Sequence, residues 1–278
     1  MNRYSACRFL VIRSALAHFP DVFSKSSTGV VVPLYISPGS SWQVVIQAKR
    51  SHPSVPIVTI INPDSGPGTL SDANYATEIK KLQTAGVTVL GYVFTNYASR
   101  SQDLVIQDII AYKNWYDVDG IMFDEMSNVL GNEDYYSSLT RYVKSIHMVM
   151  TVGNPGTAVP PTYFGTMDVL NIYEGLGIPD TYTLSKRSVD YQKWGRENFS
   201  IVAYGVKDLD ESALEKASKH VAYLYLTDDD LPNPYDKLPS YFSSLMAALD
   251  YGNRSSSLRQ TISTNRLIRR FGLRSSHQ

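Results

Sequence analysis

Two acids stand side by side at Asp124-Glu125, directly after the apolar run Gly120-Ile-Met-Phe123. A third, Glu174, closes a second apolar run that begins at Met167. A carboxylate at the end of a buried strand is costly unless it faces a cleft or a partner. Side-chain alternation puts Ile121 and Phe123 on one face, and Gly120, Met122 and Asp124 on the other. The bulky pair suits a helix-packing layer. Asp124 then points into an interior mouth, and Glu125 sits at its rim. Two carboxyls roughly 5–9 Å apart are the apparatus of glycosidic cleavage. A plainer reading makes each acid a helix cap or an arginine partner. That reading fits a lone acid better than an adjacent pair with a third acid on another strand.

Other chemistry has weaker support. His18, His52, His147, His220 and His277 show no metal-ligand spacing, and they read as structural or surface residues. His147 and His220 fall near strand starts. Cys7 is the single cysteine, so neither an intrachain disulfide nor a Cys-rich zinc site is expected. No Gly-x-Ser-x-Gly elbow, phosphate loop or nicotinamide, flavin or pyridoxal signature occurs, and neither a metal nor a cofactor is expected. The run Asp228-Asp229-Asp230 offers a place for a cation, but a solvated loop is the simpler account.

The acids need a scaffold that brings distant strand ends together. From Gly29 the chain alternates strand and helix. The expected strands are 29–37, 56–63, 87–95, 118–125, 148–152, 167–174, 200–205 and 221–226. Helices are expected over 40–50, from Ser71 or Asp72 to Gly86, and over 102–115, 133–146, 184–194, 211–219 and 239–249. Only a short helix or turn is expected over 160–166. The strands are continuous apolar runs, as in a parallel sheet buried on both faces. Eight successive βα units without a hairpin signal indicate an α/β fold, a single-domain (β/α)8 TIM barrel. A doubly wound open sheet is the competitor, but it would usually carry a glycine-rich phosphate loop.

In such a barrel the polar strand ends converge on one rim. They offer Tyr35, Asn62, Asn96, Asn154, Tyr173 and Tyr204 as substrate-binding residues beside the acids. Aromatic faces cover sugar C–H surfaces, and amides bond hydroxyls. Many of the 20 tyrosines must instead pack outer helices, as expected for Tyr135, Tyr142 and Tyr191.

The 278 residues are 43% hydrophobic and 19% charged, an ordinary globular balance that excludes bulk disorder. The formal net charge of zero is a cancellation. Residues 1–28 carry Arg3, Arg8, Arg13 and Lys25 against Asp21, and residues 253–278 carry six arginines and no acid. The body, 29–252, is therefore acidic, which argues against a nucleic-acid surface. No apolar stretch is long enough to span a bilayer. Arg13 interrupts the apolar run Phe9-Leu-Val-Ile12, so residues 1–28 read as an extension and only weakly as a secretion signal. Residues 253–278 read as a basic, poorly ordered tail after a helix stopped by Gly252 and Ser255-Ser-Ser257. A short basic helix around 265–273 is the alternative for that tail, with Leu267, Ile268 and Phe271 on one side. A monomer is expected.

Several segments taken in order resemble the spherulin-4-like family (spherulation-specific family 4). They are Val31-Val-Pro-Leu-Tyr-Ile36, Ile60-Ile-Asn-Pro-Asp-Ser-Gly-Pro-Gly68, Val87 to Tyr92, Val118-Asp-Gly-Ile-Met-Phe-Asp-Glu125, Val152-Gly-Asn-Pro-Gly156 and Asn171-Ile-Tyr-Glu174. Together they span about residues 30–230. The resemblance implies a (β/α)8 barrel. It also implies the activity of the fungal members, glycoside hydrolase family 135, endo-acting on α-1,4-linked N-acetylgalactosamine in galactosaminogalactan. The family's essential acids fall on Asp124, Glu125 and Glu174. Glu174 or Glu125 is favoured as the acid, and Asp124 as nucleophile or stabiliser. The polysaccharide is then the partner, and an extracellular or cell-surface location follows from the resemblance. A non-catalytic glycan-binding or spore-surface protein on the same barrel is the alternative.

Overall fold

The computed structural model describes residues 27–189 and 194–271. Eight parallel strands close into a barrel in chain order, with the last paired back to the first. They are β1 (Gly29–Leu34), β2 (Ile57–Ile61), β3 (Thr88–Phe94), β4 (Gly120–Asp124), β5 (Met150–Gly153), β6 (Val169–Leu176), β7 (Phe199–Tyr204) and β8 (Tyr223–Leu226). Helices α1 (Ser40–Ser51), α2 (Ala73–Thr84), α3 (Gln102–Tyr116), α4 (Glu133–Ser145), α5 (Thr181–Val189), α6 (Glu211–Ser218) and α7 (Phe242–Phe271) cover the outside. Between β5 and β6 there is only a single 3-10 turn, Pro161–Tyr163, within the 160–166 segment expected to be short.

Alternation divides the apolar residues into two layers. Val31, Val58, Ile60, Leu90, Met122, Met150, Val152 and Val169 fill the barrel interior. Val30, Val32, Val89, Ile121, Phe123 and Leu170 face the helices. The split at Ile121, Met122 and Phe123 is the one their order dictates. Gly91 has to be glycine, because a Cβ there would lie 2.5 Å from the ring of Tyr112 on α3. Asp72 caps α2 by accepting from the backbone N–H of Asn74 at 2.7 Å and of Tyr75 at 3.3 Å. Gly86 follows that helix at φ +88°, where a side chain would be strained.

Two expectations need correction. The helix after β6 begins at Thr181 rather than at residue 184, because Asp180 accepts from the Thr183 N–H and starts the turn early. Tyr191 lies outside the described residues. The last helix does not stop at Gly252. It runs on to Phe271, and the separate helix expected around 265–273 is the far end of this one as far as that residue. One reason lies at Asn253, which is buried against the foot of the barrel. Its Oδ1 accepts from the Thr28 N–H at 2.7 Å, and its Nδ2 donates to the carbonyls of Thr28 (3.0 Å) and Ser54 (3.2 Å). Ending the helix at Gly252 would forfeit these bonds. The secretion-signal reading falls on residues outside the described ones. Among the described residues no helix is long and apolar enough to cross a membrane.

Candidate active site

At the C-terminal mouth of the barrel, Asp124 ends β4 and Asn154 follows β5. Two backbone bonds continue the ladder past the strand ends, Asn154 N–H to Phe123 O (2.8 Å) and Met126 N–H to Asn154 O (3.0 Å). They hold Asn154 beside Asp124. The Asn154 side chain then joins two acids, donating from Nδ2 to Asp124 Oδ1 at 3.0 Å and to Glu174 Oε2 at 2.8 Å. These two oxygens therefore lie less than about 6 Å apart, within the reach of a glycosidase carboxyl pair. Asn154 is itself oriented, because its Oδ1 accepts from Asn171 Nδ2 at 2.9 Å and from the Gly156 N–H at 3.1 Å. Ser200 sits 3.4 Å from Asn171 Oδ1 and completes the chain.

Glu174 reaches this point through a fault in β6. The register with β7 shifts between Asn171 and Tyr173. Asn171 faces the mouth, Ile172 and Tyr173 both pack on the helix-side core, and Glu174 faces the mouth again. A bulge re-aims side chains in this way and is common beside active sites. Without it Tyr173, not Glu174, would face inward. The Tyr173 hydroxyl instead donates to the carbonyls of Leu176 (3.0 Å) and Gly177 (3.1 Å), clasping the end of its own strand.

Three tyrosines wall the acids. The Tyr235 hydroxyl, from the loop between β8 and α7, donates to Glu174 Oε1 at 2.5 Å. Tyr92 on β3 hydrogen-bonds Asp124. Tyr35 meets Tyr92 and Tyr235 edge-on, with centroids at 5.6 and 6.1 Å. Burial, followed by the neighbouring carboxylates, raises the hydroxyls of Tyr35, Tyr92 and Tyr235 far above the usual tyrosine range, so they remain protonated donors. Burial also raises Asp124 above the ordinary carboxylate range. The Glu125 backbone and Tyr92 oppose that shift, the charge of Glu174 adds to it, and Asn154 opposes it.

The cavity these residues line is small, about 60 Å³. A larger hollow of about 410 Å³ lies on the outside between α1 and α2. Its lining supplies Arg50, Lys80 and Lys81 but no carboxylate and no strand end, so the chemistry belongs to the smaller one.

The other expected residues are placed differently. Glu125 is half-buried at the rim, outside the cavity lining, with φ +49°. Its carbonyl accepts from Thr95 Oγ1 at 2.9 Å and from the Tyr97 N–H at 2.7 Å. Asn62 serves its own loop, accepting from the Gly66 N–H at 2.8 Å. Asn96 is exposed in a turn closed by Ser99. Tyr204 ends β7 half-buried, and its carbonyl accepts from the Gly177 N–H at 2.8 Å. The run 228–230 is absorbed by structure. Asp228 accepts from the Ser240 N–H at 3.2 Å, Asp229 pairs with Lys237 at 3.1 Å, and Asp230 accepts from the Leu231 N–H at 2.8 Å. Tyr92, Asn171, Ser200 and Tyr235 were missed by the sequence reading. Alternation along β3, which turns Leu90 inward, was enough to find Tyr92. A loop residue such as Tyr235 carries no such signal.

A closed parallel barrel with two carboxyls joined at its C-terminal mouth is a (β/α)8 barrel with a glycoside-hydrolase-like fold. The family model for spherulation-specific family 4 matches residues 29–249, and the chain belongs to that family. Spherulin-4 of Physarum polycephalum is 36% identical over 151 residues, which are 53% of this chain and 45% of that protein. The match thus spans less than half of that curated relative. Among solved structures, Sph3 of Aspergillus clavatus in complex with GalNAc superposes with a TM-score of 0.71 at 27% identity, covering 81% of this chain and 98% of that one. A Thermobaculum terrenum O-GlcNAc hydrolase shares the fold at a TM-score of 0.55 and 13% identity, covering 86% of this chain and 63% of its own.

Proposed function

We propose that this protein is a glycoside hydrolase that cuts within an N-acetylgalactosamine-containing polysaccharide, with Asp124 and Glu174 as the working carboxyls. The observation that carries the reading is the Asn154 bridge, which fixes two acids at a spacing suited to direct attack rather than to an intervening water. The similarity to an Sph3 complexed with GalNAc supports the sugar class.

The hydrogen bonds favour a division of labour. Asn154 Nδ2 can only donate, so the two oxygens it touches remain acceptors. The other partner of Glu174 is a hydroxyl, which can donate or accept. Glu174 can therefore carry a proton on Oε1 and keep its bond to Tyr235, as a general acid requires. As Glu174 gives its proton to the leaving glycosidic oxygen and the C1–O bond breaks, Asp124, held by Asn154 and Tyr92, attacks C1 or stabilises the oxocarbenium-like centre. Developing positive charge there offsets the desolvation that raises its pKa. A water then delivers its hydroxyl to C1 and its proton back to Glu174. Glu125 adds negative potential at the rim.

The test is the release of new reducing ends from a panel of hexosamine polymers. The panel holds α-1,4-linked polygalactosamine, acetylated and partly deacetylated, and β-1,4-linked chitin and chitosan chains. Cleavage of the α-1,4-linked galactosamine chains is expected. Saturable binding with no new ends over long incubation would replace this reading with the glycan-binding one.

A further inference from the structure

We infer that Tyr97 is a sugar-stacking platform beside the acid pair, an inference that rests on the glycan-cleaving reading of the mouth. Asn96, Tyr97 and Ala98 have φ of +47°, +55° and +67°. Non-glycine residues visit this left-handed region singly, and a run of three stores strain. Strain of this kind persists only where surrounding structure over-determines it, and it concentrates at functional sites.

Both ends of this loop are clamped. On one side the Thr95 N–H and hydroxyl reach the Asp124 carbonyl at 2.9 and 3.0 Å, and the hydroxyl also reaches Glu125 O at 2.9 Å. On the other, Arg100 pairs with Asp108 at 2.7 Å, donates to Phe94 O at 3.1 Å and lies 4.3 Å above the Phe94 ring. Its backbone N–H returns to Thr95 O at 3.2 Å. Ala98 packs on the core. What the clamps push out is Tyr97, which is 58% exposed while its N–H stays 2.7 Å from the Glu125 carbonyl. Glycine would take this φ without strain, and solvent has no preference for a ring there. An aromatic ring kept exposed at a strained position joined to the Glu125 backbone is what a stacking platform at this rim requires.

The mouth itself leaves that work undone. Its cavity of about 60 Å³ is far smaller than a sugar chain, so most of the chain must lie across the rim. Tyr35, Tyr92 and Tyr235 are engaged with one another and with the acids. Tyr97 is more than half exposed and its backbone is bonded to the Glu125 carbonyl, so its ring offers an apolar face at the rim, suited to the C–H face of a pyranose one or two units from the cleaved bond.

The experiment compares the full-length protein with its Tyr97→Gly and Tyr97→Trp variants on long oligosaccharides of the hexosamine panel. Both variants keep the backbone N–H that holds Glu125. Tyr97→Gly should melt no lower than the parent, because strain is relieved, and its KM should rise about tenfold, as loss of a stacking contact predicts. Tyr97→Trp should restore KM, and neither variant should move the pH profile. An unchanged KM in Tyr97→Gly overturns the inference, as does a loss confined to kcat with a shifted pH profile. If the parent cleaves and the variant matches it, only the platform falls. If the parent neither cleaves nor binds any chain of the panel, the reading of the mouth falls and takes the platform with it.

Discussion

Asn154 is neither acid nor nucleophile, yet it determines where both acids stand. Replacing it with alanine removes the donor shared by Asp124 and Glu174 and leaves two half-buried acceptors closer to open repulsion. A fall in kcat of about 10²-fold or more is expected, since a small misplacement of reacting groups costs that much. Steady-state kinetics on the cleaved polymer check this. The raised pKa of Asp124 gives a pH prediction. If Asp124 must be ionised, activity is lost as pH falls through its folded-state value, so the acid limb lies above the ordinary aspartate range near 3.9. Tyr92→Phe removes a donor that favours the ionised form, and its acid limb should move to still higher pH. An acid limb that stays in place would disconnect Tyr92 from Asp124. The same raised pKa means that ionised Asp124 works against folding, with the penalty appearing as pH rises through that value. Asp124→Asn should therefore melt at or above the parent near neutral pH while losing activity.

Elements differ in how far their sequences disclose them. The pattern of β4 gave both its strand character and the inward direction of Asp124, because strict alternation holds from Gly120 to Asp124. The same rule fails on β6. The bulge between Asn171 and Tyr173 is set by pairing with β7, and no local pattern marks it. Glu174 is therefore marked only by its type and its place at a strand end, while Tyr173, expected at the mouth, packs on the helix-side core. Asn62 shows a related limit, since an amide at a strand end serves a turn as readily as a ligand. The strand-end elements are also latched to one another. Thr95 is fully buried and touches Asp124 O, Glu125 O and the hydroxyl of Tyr136 (3.1 Å), which also accepts from the Ser127 N–H at 2.6 Å. Thr95→Val is isosteric but removes the hydroxyl, so it should destabilise by about 1–3 kcal/mol. It should also lower kcat by loosening the β4 end. Thermal melts and kinetics on the same preparation test both effects.

At the scale of the molecule, the barrel is tied shut at its foot by residues the sequence reading placed outside it. Thr28 and Asn253 flank the segment 29–252, and their three mutual and Ser54 bonds are buried or part-buried. The Gly252-Asn253 step reads locally as a helix stop, and the buried bonds of Asn253 are one reason the helix continues past it. A chain trimmed to 29–252 should therefore melt below one covering 27–258. A loss of about 1–3 kcal/mol for the unmet buried groups amounts to roughly 2–12 °C in a chain of this size. Equal midpoints would show that the tie contributes nothing. Charge acts at the same scale, since an acidic body and a mouth with three carboxylates suit a partly deacetylated, cationic chain. Turnover of such a chain should fall as salt rises, and that of a fully acetylated chain should not.

The central claim is that Asp124 and Glu174 act as one catalytic pair. It is tested most directly by kcat/KM for Asp124→Asn, Glu174→Gln and the double variant on the polymer that the parent cleaves. Residues that act as a unit are strongly non-additive. Each single change should cost several orders of magnitude, and the double should cost little more than the worse single. Near-parental activity in either single variant, or losses that simply multiply, would contradict the pair.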